Sequence, residues 1–438
     1  MEYLVLAEKF LFAGAIVLLF IKKGPLQLKY SSILMAVTCI TLFYLTSSVL
    51  FTGKAYQTVF LLPLVNYNME LYMDALGAFF MVLAGGSLLV GLIWASVKKF
   101  AESKLDLFLT MIFSFFIFLA LGLNDIFYTL LSVICGYGAL YAVKRRGNSN
   151  LISVLKLVMY QIIAYFILRA VYVWGIPPLR LIFAGYIPVI VAVIYALLAK
   201  QQSYDVKNIG VMGIGLCTGL VCLKYGNLYV AGFALTGSIL LIINYVFCKN
   251  IEIMTNLQND DLEGLVSKNH FLALCEITRY ASMENFFFTG GFIGQLLIYI
   301  SLIFGIAAGN IFYKLFFGIL FIMLLAAQIF GIYNIVKRVK TIFAKQKIDS
   351  KIILEKLTAS MAAAFLLLIL VIGLLPHKCS IFAFSPISIF LGGQNSIGII
   401  SSIINIMQIT SNVLLCTAAA ILAGFGIKSL IKLLSDAK

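Results

Sequence analysis

Charge is scarce in this sequence. Asp, Glu, Lys and Arg together supply 11% of the 438 residues, against about a quarter in soluble globular domains. A chain so poor in solvated side chains does not read as a soluble globular protein. Histidine is scarcer still. His270 and His377 are the only two, too few and too far apart for a convincing haem or metal site. The eight cysteines include no C-x-x-C pair, so they lack metal-ligand spacing and read as small apolar packing residues. No phosphate-binding glycine loop, Walker lysine or nucleophile elbow occurs, which argues against a nucleotide-driven pump in this chain. No metal site and no cofactor are expected within it.

Apolar sequence is what the chain has in abundance. Hydrophobic residues make up 63% and aromatics 14%, and windows of about 20 mainly apolar residues, the length that spans about 30 Å of hydrocarbon, recur from end to end. They lie near 3–21, 31–52, 73–97, 105–122, 124–143, 151–175, 178–199, 206–223, 227–254, 286–308, 310–336, 356–376 and 404–430. Backbone polar groups left unpaired in lipid are costly, and the segments lack the period-2 alternation of barrel strands, so the spans are expected to be helices. The reading is an all-α polytopic membrane protein of about 12–14 transmembrane helices, forming one integral membrane domain. The first apolar segment lacks a small-residue cleavage site and is expected to be retained.

The net charge of +15 raises nucleic acid as a partner, but its distribution argues against one. Basic residues gather at alternate gaps: Lys22, Lys23 and Lys29; Lys98, Lys99 and Lys104; Lys144, Arg145 and Arg146; Lys200 and Lys207; 337–356; and Lys428, Lys432 and Lys438. This alternation is the positive-inside pattern. It predicts an N-terminus outside and a C-terminus in the cytoplasm, in the cytoplasmic (inner) membrane of a prokaryote, provided 270–284 does not fully cross.

Ionisable residues at membrane depth are costly and are functional candidates by default. Those that stand out are Asp74, Lys156, Arg169, Lys249 and Glu252, with Glu8 and Lys9 near the start. Asp74 and Lys156 fit interfacial positions equally well, and Arg169 is able to snorkel to a helix end. Lys249 and Glu252, three apart on one helix, can neutralise each other; a helix end in hydrated headgroups is the competing account. Glycines at 85–86, 213–219 and 290–291 mark close helix packing or broken helices.

A series of segments between residues 69 and 376 resembles one family in order. MELYMDALGAFFMVL (69–83) is similar to its L-x-x-D-x-L-S-x-F-F helix opening. LGLNDIFYTLLSVICGYGALY (121–141) resembles A-N-D-x-F-x-F-L-x-x-W-E-L-M-S-L-x-S-Y. VMYQIIAYFILR (158–169) resembles V-M-I-K-x-G-I-Y-G-I-x-R, and ALLAKQQSYDVKNIGVM (196–212) resembles A-Y-S-S-x-E-N-I-G. The stretch from Leu240 is similar to L-H-x-L-N-H-A-L-F-K, with Asn244 and Lys249 in register. DLEGLVSKN (261–269), TGGFIGQLLIYISL (289–302) and VIGLLP (371–376) complete the series. The family is that of the antiporter-like membrane subunits of respiratory complex I and multisubunit cation/proton antiporters, with relatives in energy-converting hydrogenases and formate hydrogenlyase.

The resemblance implies proton translocation through buried carriers, yet the carrier positions are altered. The family's glutamate falls on Ile134, the lysine of V-M-I-K on Gln161, the histidine of L-N-H-A on Tyr245 and the glutamate of S-E-W-L on Gln295. Lys249 is the lysine that remains. A further helix and half of a broken one, expected between Tyr141 and Asn148, are replaced by AVKRRG. Together these imply a shortened, degenerate subunit, with N-terminal helices and an outside loop over 1–68, a core over 69–376 and a C-terminal loop and helix over 377–438. The proton-path candidates are Lys249, Glu252, Asp74 and Arg169, with no catalytic residue. The chain is then a scaffold with at most a partial proton path, not an enzyme alone, among sister membrane subunits and a peripheral redox arm of an oxidoreductase complex. Glu252 is expected to compensate Lys249 in part, as an internal ion pair. An active proton- or sodium-coupled transporter is the alternative, and a lipid-linked sugar flippase a more distant one.

Overall fold

The computed structural model describes residues 2–21, 25–62, 67–98, 103–146, 151–172, 186–198, 204–224, 227–257, 259–308, 311–344, 355–392 and 395–436. Helices α1 (Glu2–Leu18) and α2 (Pro25–Thr52) precede an antiparallel hairpin, β1 (Tyr56–Leu62) and β2 (Tyr67–Met73). Then come α3 (Ala75–Val97), α4 (Lys104–Gly122), α5 (Ile126–Arg146), α6 (Ile152–Tyr172), α7 (Ile187–Leu198), α8 (Tyr204–Lys224) and α9 (Leu228–Thr255). The one-turn α10 (Leu265–Lys268) leads to α11 (His270–Met283), α12 (Gly290–Ala308), α13 (Ile311–Ile342), α14 (Lys356–Leu374), α15 (Pro376–Leu391) and α16 (Asn395–Asp436). Among the described residues, eleven helices are long and apolar enough to cross a membrane. Lys22, Lys23, Lys99, Lys200, 345–354 and the first part of the 178–199 span lie outside the described residues.

Local chemistry fixes the helix ends. The Asp74 side chain accepts from the Gly77 N–H at 2.8 Å and starts α3. Ser103 caps α4 by accepting from Asp106 N–H and returns its hydroxyl to that carboxylate, which also pairs with Arg146 at 2.7 Å. Asn256, in the left-handed conformation, closes α9. The apolar first loop contains a hairpin, with Tyr56 opposite Met73 and Leu62 opposite Tyr67. Pro376–Leu391, where the sequence suggests a loop, is helical.

Successive helices alternate in direction between a hairpin end, which holds Asp74 and the starts of α1 and α5, and an end bearing Lys98, Lys104 and 144–146. The centre is α9, buried over almost its whole length. It meets α12 where glycines remove the side chains between them: a Cβ on Gly237 would lie 2.5 Å from the Gly294 carbonyl oxygen, and one on Gly294 2.8 Å from that of Gly237. Such close backbone approach is how helices pack in lipid, where the hydrophobic effect does not drive association. Gly213 and Gly219 likewise admit Val189 and Leu235. This run serves packing.

One crossing is broken. Helix α11 rises only about 21 Å, short of the bilayer, and the chain turns at 284–289 before α12 resumes along α9. Asn285 and Phe288 take positive φ there, 55° and 67°. A second interruption comes at Pro376, which lacks an N–H and ends α14 at Leu374. Helix α15 then continues towards the hairpin end, where the Ser385 hydroxyl donates to the Leu50 carbonyl at 3.0 Å.

Candidate functional site

At the basic end, five charges of alternating sign run from α8 through α9 to α11. Lys249 Nζ lies 2.7 Å from Asp205 and 3.0 Å from Glu252; Arg279 bonds Glu252 at 2.7 Å and Glu276 at 2.7 Å. Thr255 donates to Glu276 at 3.2 Å, and Tyr280 lies beneath both Arg279 and Arg338 at 4.3 and 4.4 Å. Burial varies along the row: the Asp205 and Glu252 side chains are 44% and 42% exposed and that of Lys249 between them 15%, whereas Arg279 and Glu276 at the α11 end fall to 8% and 2%.

Beside this row lies a polar cavity of about 660 Å³, lined by Lys156, Tyr160, Asp205, Tyr245, Lys249 and Glu252 among others. Its size and polar wall suit water. The arrangement can therefore hydrate Lys249 from the basic end and exchange protons with its walls. The expected Lys249–Glu252 pair forms, but Glu252 faces two cations, and without it Lys249 keeps Asp205 and Arg279 keeps Glu276. Glu252→Leu should consequently cost about 1 kcal/mol or less, as for a solvent-screened pair, and adding Lys249→Leu should bring little recovery. Thermal unfolding of both variants in detergent checks this, and a large loss restored by the double variant would contradict it.

The helix break forms a second polar centre. Its carbonyls receive amide side chains from three directions: Asn244 donates to Ser282 at 3.2 Å, Asn208 to Met283 at 2.8 Å and Gln328 to Asn285 at 3.1 Å. Lys207 forms an ion pair with Glu284 there, both almost fully buried. Gly331 on α13 gives the pair room, because a Cβ at that position would collide with the Glu284 carboxylate.

A third centre sits at the hairpin end. Arg169 is fully buried and pairs with Asp74, while its second terminal nitrogen donates to Asn124 at 3.4 Å. The guanidinium lies 5.4 Å from the Tyr72 ring and 5.9 Å from that of Tyr165. In the hairpin, burial and the neighbouring Asp74 raise the Tyr72 phenol above its usual range. Arg169 therefore does not snorkel, and Asp74 is a buried cap.

No protein-family model matches the sequence, and no curated protein does. Solved structures are similar in shape. A chain of the Mrp complex from Dietzia sp. DQ12-45-1b has a TM-score of 0.57 at 11% identity, covering 90% of this chain and 99% of that one. A chain of respiratory complex I from Thermus thermophilus with bound NADH gives 0.60 at 14%, covering 89% and 100%. One from the membrane-bound sulfane sulfur reductase (MBS), an archaeal respiratory membrane complex, gives 0.58 at 12%, covering 84% and 76%. The fold is antiporter-like.

Within this antiporter-like fold, the altered carrier positions have separate fates. Ile134 is 57% exposed on the outer face of α5. Gln161 is buried and donates to Ser87 at 3.2 Å, which Asn250 also approaches at 3.4 Å. Tyr245 is buried on the cavity wall, and Gln295 donates to Tyr299 at 2.7 Å, which donates to the Leu324 carbonyl at 2.9 Å. Of the named candidates, the structure joins Lys249 to Glu252 and Asp74 to Arg169, at opposite ends of the helices. Lys156 lines the cavity, and Glu8 is buried away from both centres. Sequence reasoning missed the Lys207–Glu284 pair and the full charge row. The available signal was Glu276 and Arg279 three apart on α11, in a segment too short to cross yet too apolar for a loop. Among the described residues, no group of three or more His, Cys, Asp or Glu side chains is placed to hold a metal ion.

Proposed function

We propose that this chain is an antiporter-like scaffold subunit of a redox-linked multisubunit membrane complex, with a proton path that enters from the basic end and stops short of the other. The observation that carries the reading is the chemistry of the carrier positions. The cavity reaches Lys249, but beyond it stand Gln161, Ser87 and Asn250, which hydrogen-bond without titrating at neutral pH. Ile134, facing outward, offers a proton no site. The charged pair at the far end, Asp74 and Arg169, is locked in mutual contact. Redox linkage is proposed from the respiratory complexes among the similar structures; the redox reaction then belongs to other chains. The positive-inside pattern supports a cavity mouth that opens to the cytoplasm.

Mild-detergent purification is expected to bring down sister membrane subunits and redox subunits, and a stable solitary chain would count against the scaffold role. Reconstituted alone with a pH-sensitive dye, the protein is expected to carry no proton flux across the vesicle membrane. The hydrated Lys249 row favours a second reading, an active proton- or sodium-coupled transporter. Robust flux abolished by Lys249→Ala would establish that reading instead.

A further inference from the structure

We propose that a lateral groove around Glu8 binds an aminophospholipid. The groove, about 520 Å³, lies over α4 between α1 and α5, remote from the charge row, and its wall includes Glu8, Lys9, Phe12, Phe115, Leu131 and Ser132. Glu8 is only 8% exposed, and neither carboxyl oxygen has a hydrogen-bond partner in the protein. Its next neighbour in sequence, Lys9, is exposed on the same wall. A carboxyl group without a partner in an apolar setting costs several kcal/mol, and a ligand that brings N–H donors removes that cost.

The groove matches a zwitterionic headgroup attached to an acyl chain. A primary ammonium supplies donors and positive charge for Glu8, a phosphate faces Lys9, and the chain lies along Phe12, Phe115 and Leu131. The edges of this groove are open to lipid, with Phe12 and Leu131 each 46% exposed. A choline headgroup has the same charges but no N–H donor, so the site discriminates between the two lipids through Glu8.

The test is native mass spectrometry of the full chain from micelles containing either phosphatidylethanolamine or phosphatidylcholine. Wild type is expected to retain phosphatidylethanolamine about tenfold over phosphatidylcholine, the difference one charge-assisted hydrogen bond produces. Glu8→Leu should abolish the preference, and Leu131→Trp, at an exposed position, should fill the groove and reduce retention of both lipids. Glu8→Leu breaks no bond within the protein; if it nevertheless fails to fold, Leu131→Trp carries the test. Equal retention of the two lipids by wild type, a preference that survives Glu8→Leu, or undiminished retention by Leu131→Trp would overturn the proposal.

Discussion

Arg169→Met is expected to destabilise the protein by about 3–5 kcal/mol, the usual loss when one partner of a buried ion pair is removed. The guanidinium has no access to solvent, and Asp74 is 4% exposed. Removing the cation therefore strands a carboxylate where hydration cannot replace it. The same change removes the contacts with the Tyr72 and Tyr165 rings and the bond to Asn124. Asp74→Asn keeps an acceptor for the Gly77 N–H, so the start of α3 survives, but it strands Arg169 instead. Combining the two changes leaves no lone charge, and the double variant should be more stable than the sum of the single losses implies. Thermal unfolding in detergent across the four proteins measures that coupling. Strictly additive losses would show that the pair contributes nothing as a pair.

Lys207→Met should be comparably damaging, at about 3–5 kcal/mol, for a related reason. Glu284 sits at the broken crossing, where one of its oxygens relies on Lys207 and the other has no partner. Loss of the lysine leaves an uncompensated carboxylate among backbone groups already held by Asn208, Asn244 and Gln328. The break is then expected to loosen, which faster proteolysis or amide exchange over 280–290 would reveal. Glu284→Gln added to Lys207→Met should return much of the stability, since a neutral amide costs far less to bury. An unchanged melting temperature for Lys207→Met would show that the lysine is not needed to hold the break.

These contrasts separate structural charges from those suited to proton exchange. Asp74 with Arg169, and Lys207 with Glu284, are shut away from solvent and act as fasteners between helices distant in sequence. Lys249, Asp205 and Glu252 border a cavity and can exchange with water. The proposed partial path depends on the second group, while assembly of the fold depends on the first.

Composition by itself determined the class of molecule. With so little charge and so much apolar sequence, helices spanning a bilayer are the physical solution, and basic clusters at alternate gaps mark one end of the bundle. The ordered segments from 69 to 376 also pointed to the antiporter-like fold, through their resemblance to one family's motifs, since a motif is a local feature that a sequence displays directly. Lys249 and Glu252 were legible as a pair for the same reason: three residues on a helix is a local distance.

Only the tertiary structure decided which charges meet. Arg169 and Asp74 are 95 residues apart, and Lys207 and Glu284 are 77 apart. Burial requires that each charge have a partner, but helix packing chooses the partner. Lys207 read as a loop cation because it lies near the start of α8, and Glu284, at the end of a segment too short to cross, drew no reading of its own. Both become interior residues once α11 and α12 stack end to end along α9. The break between them is a property of that stacking, stabilised by three amide side chains from α8, α9 and α13 that no sequence spacing connects.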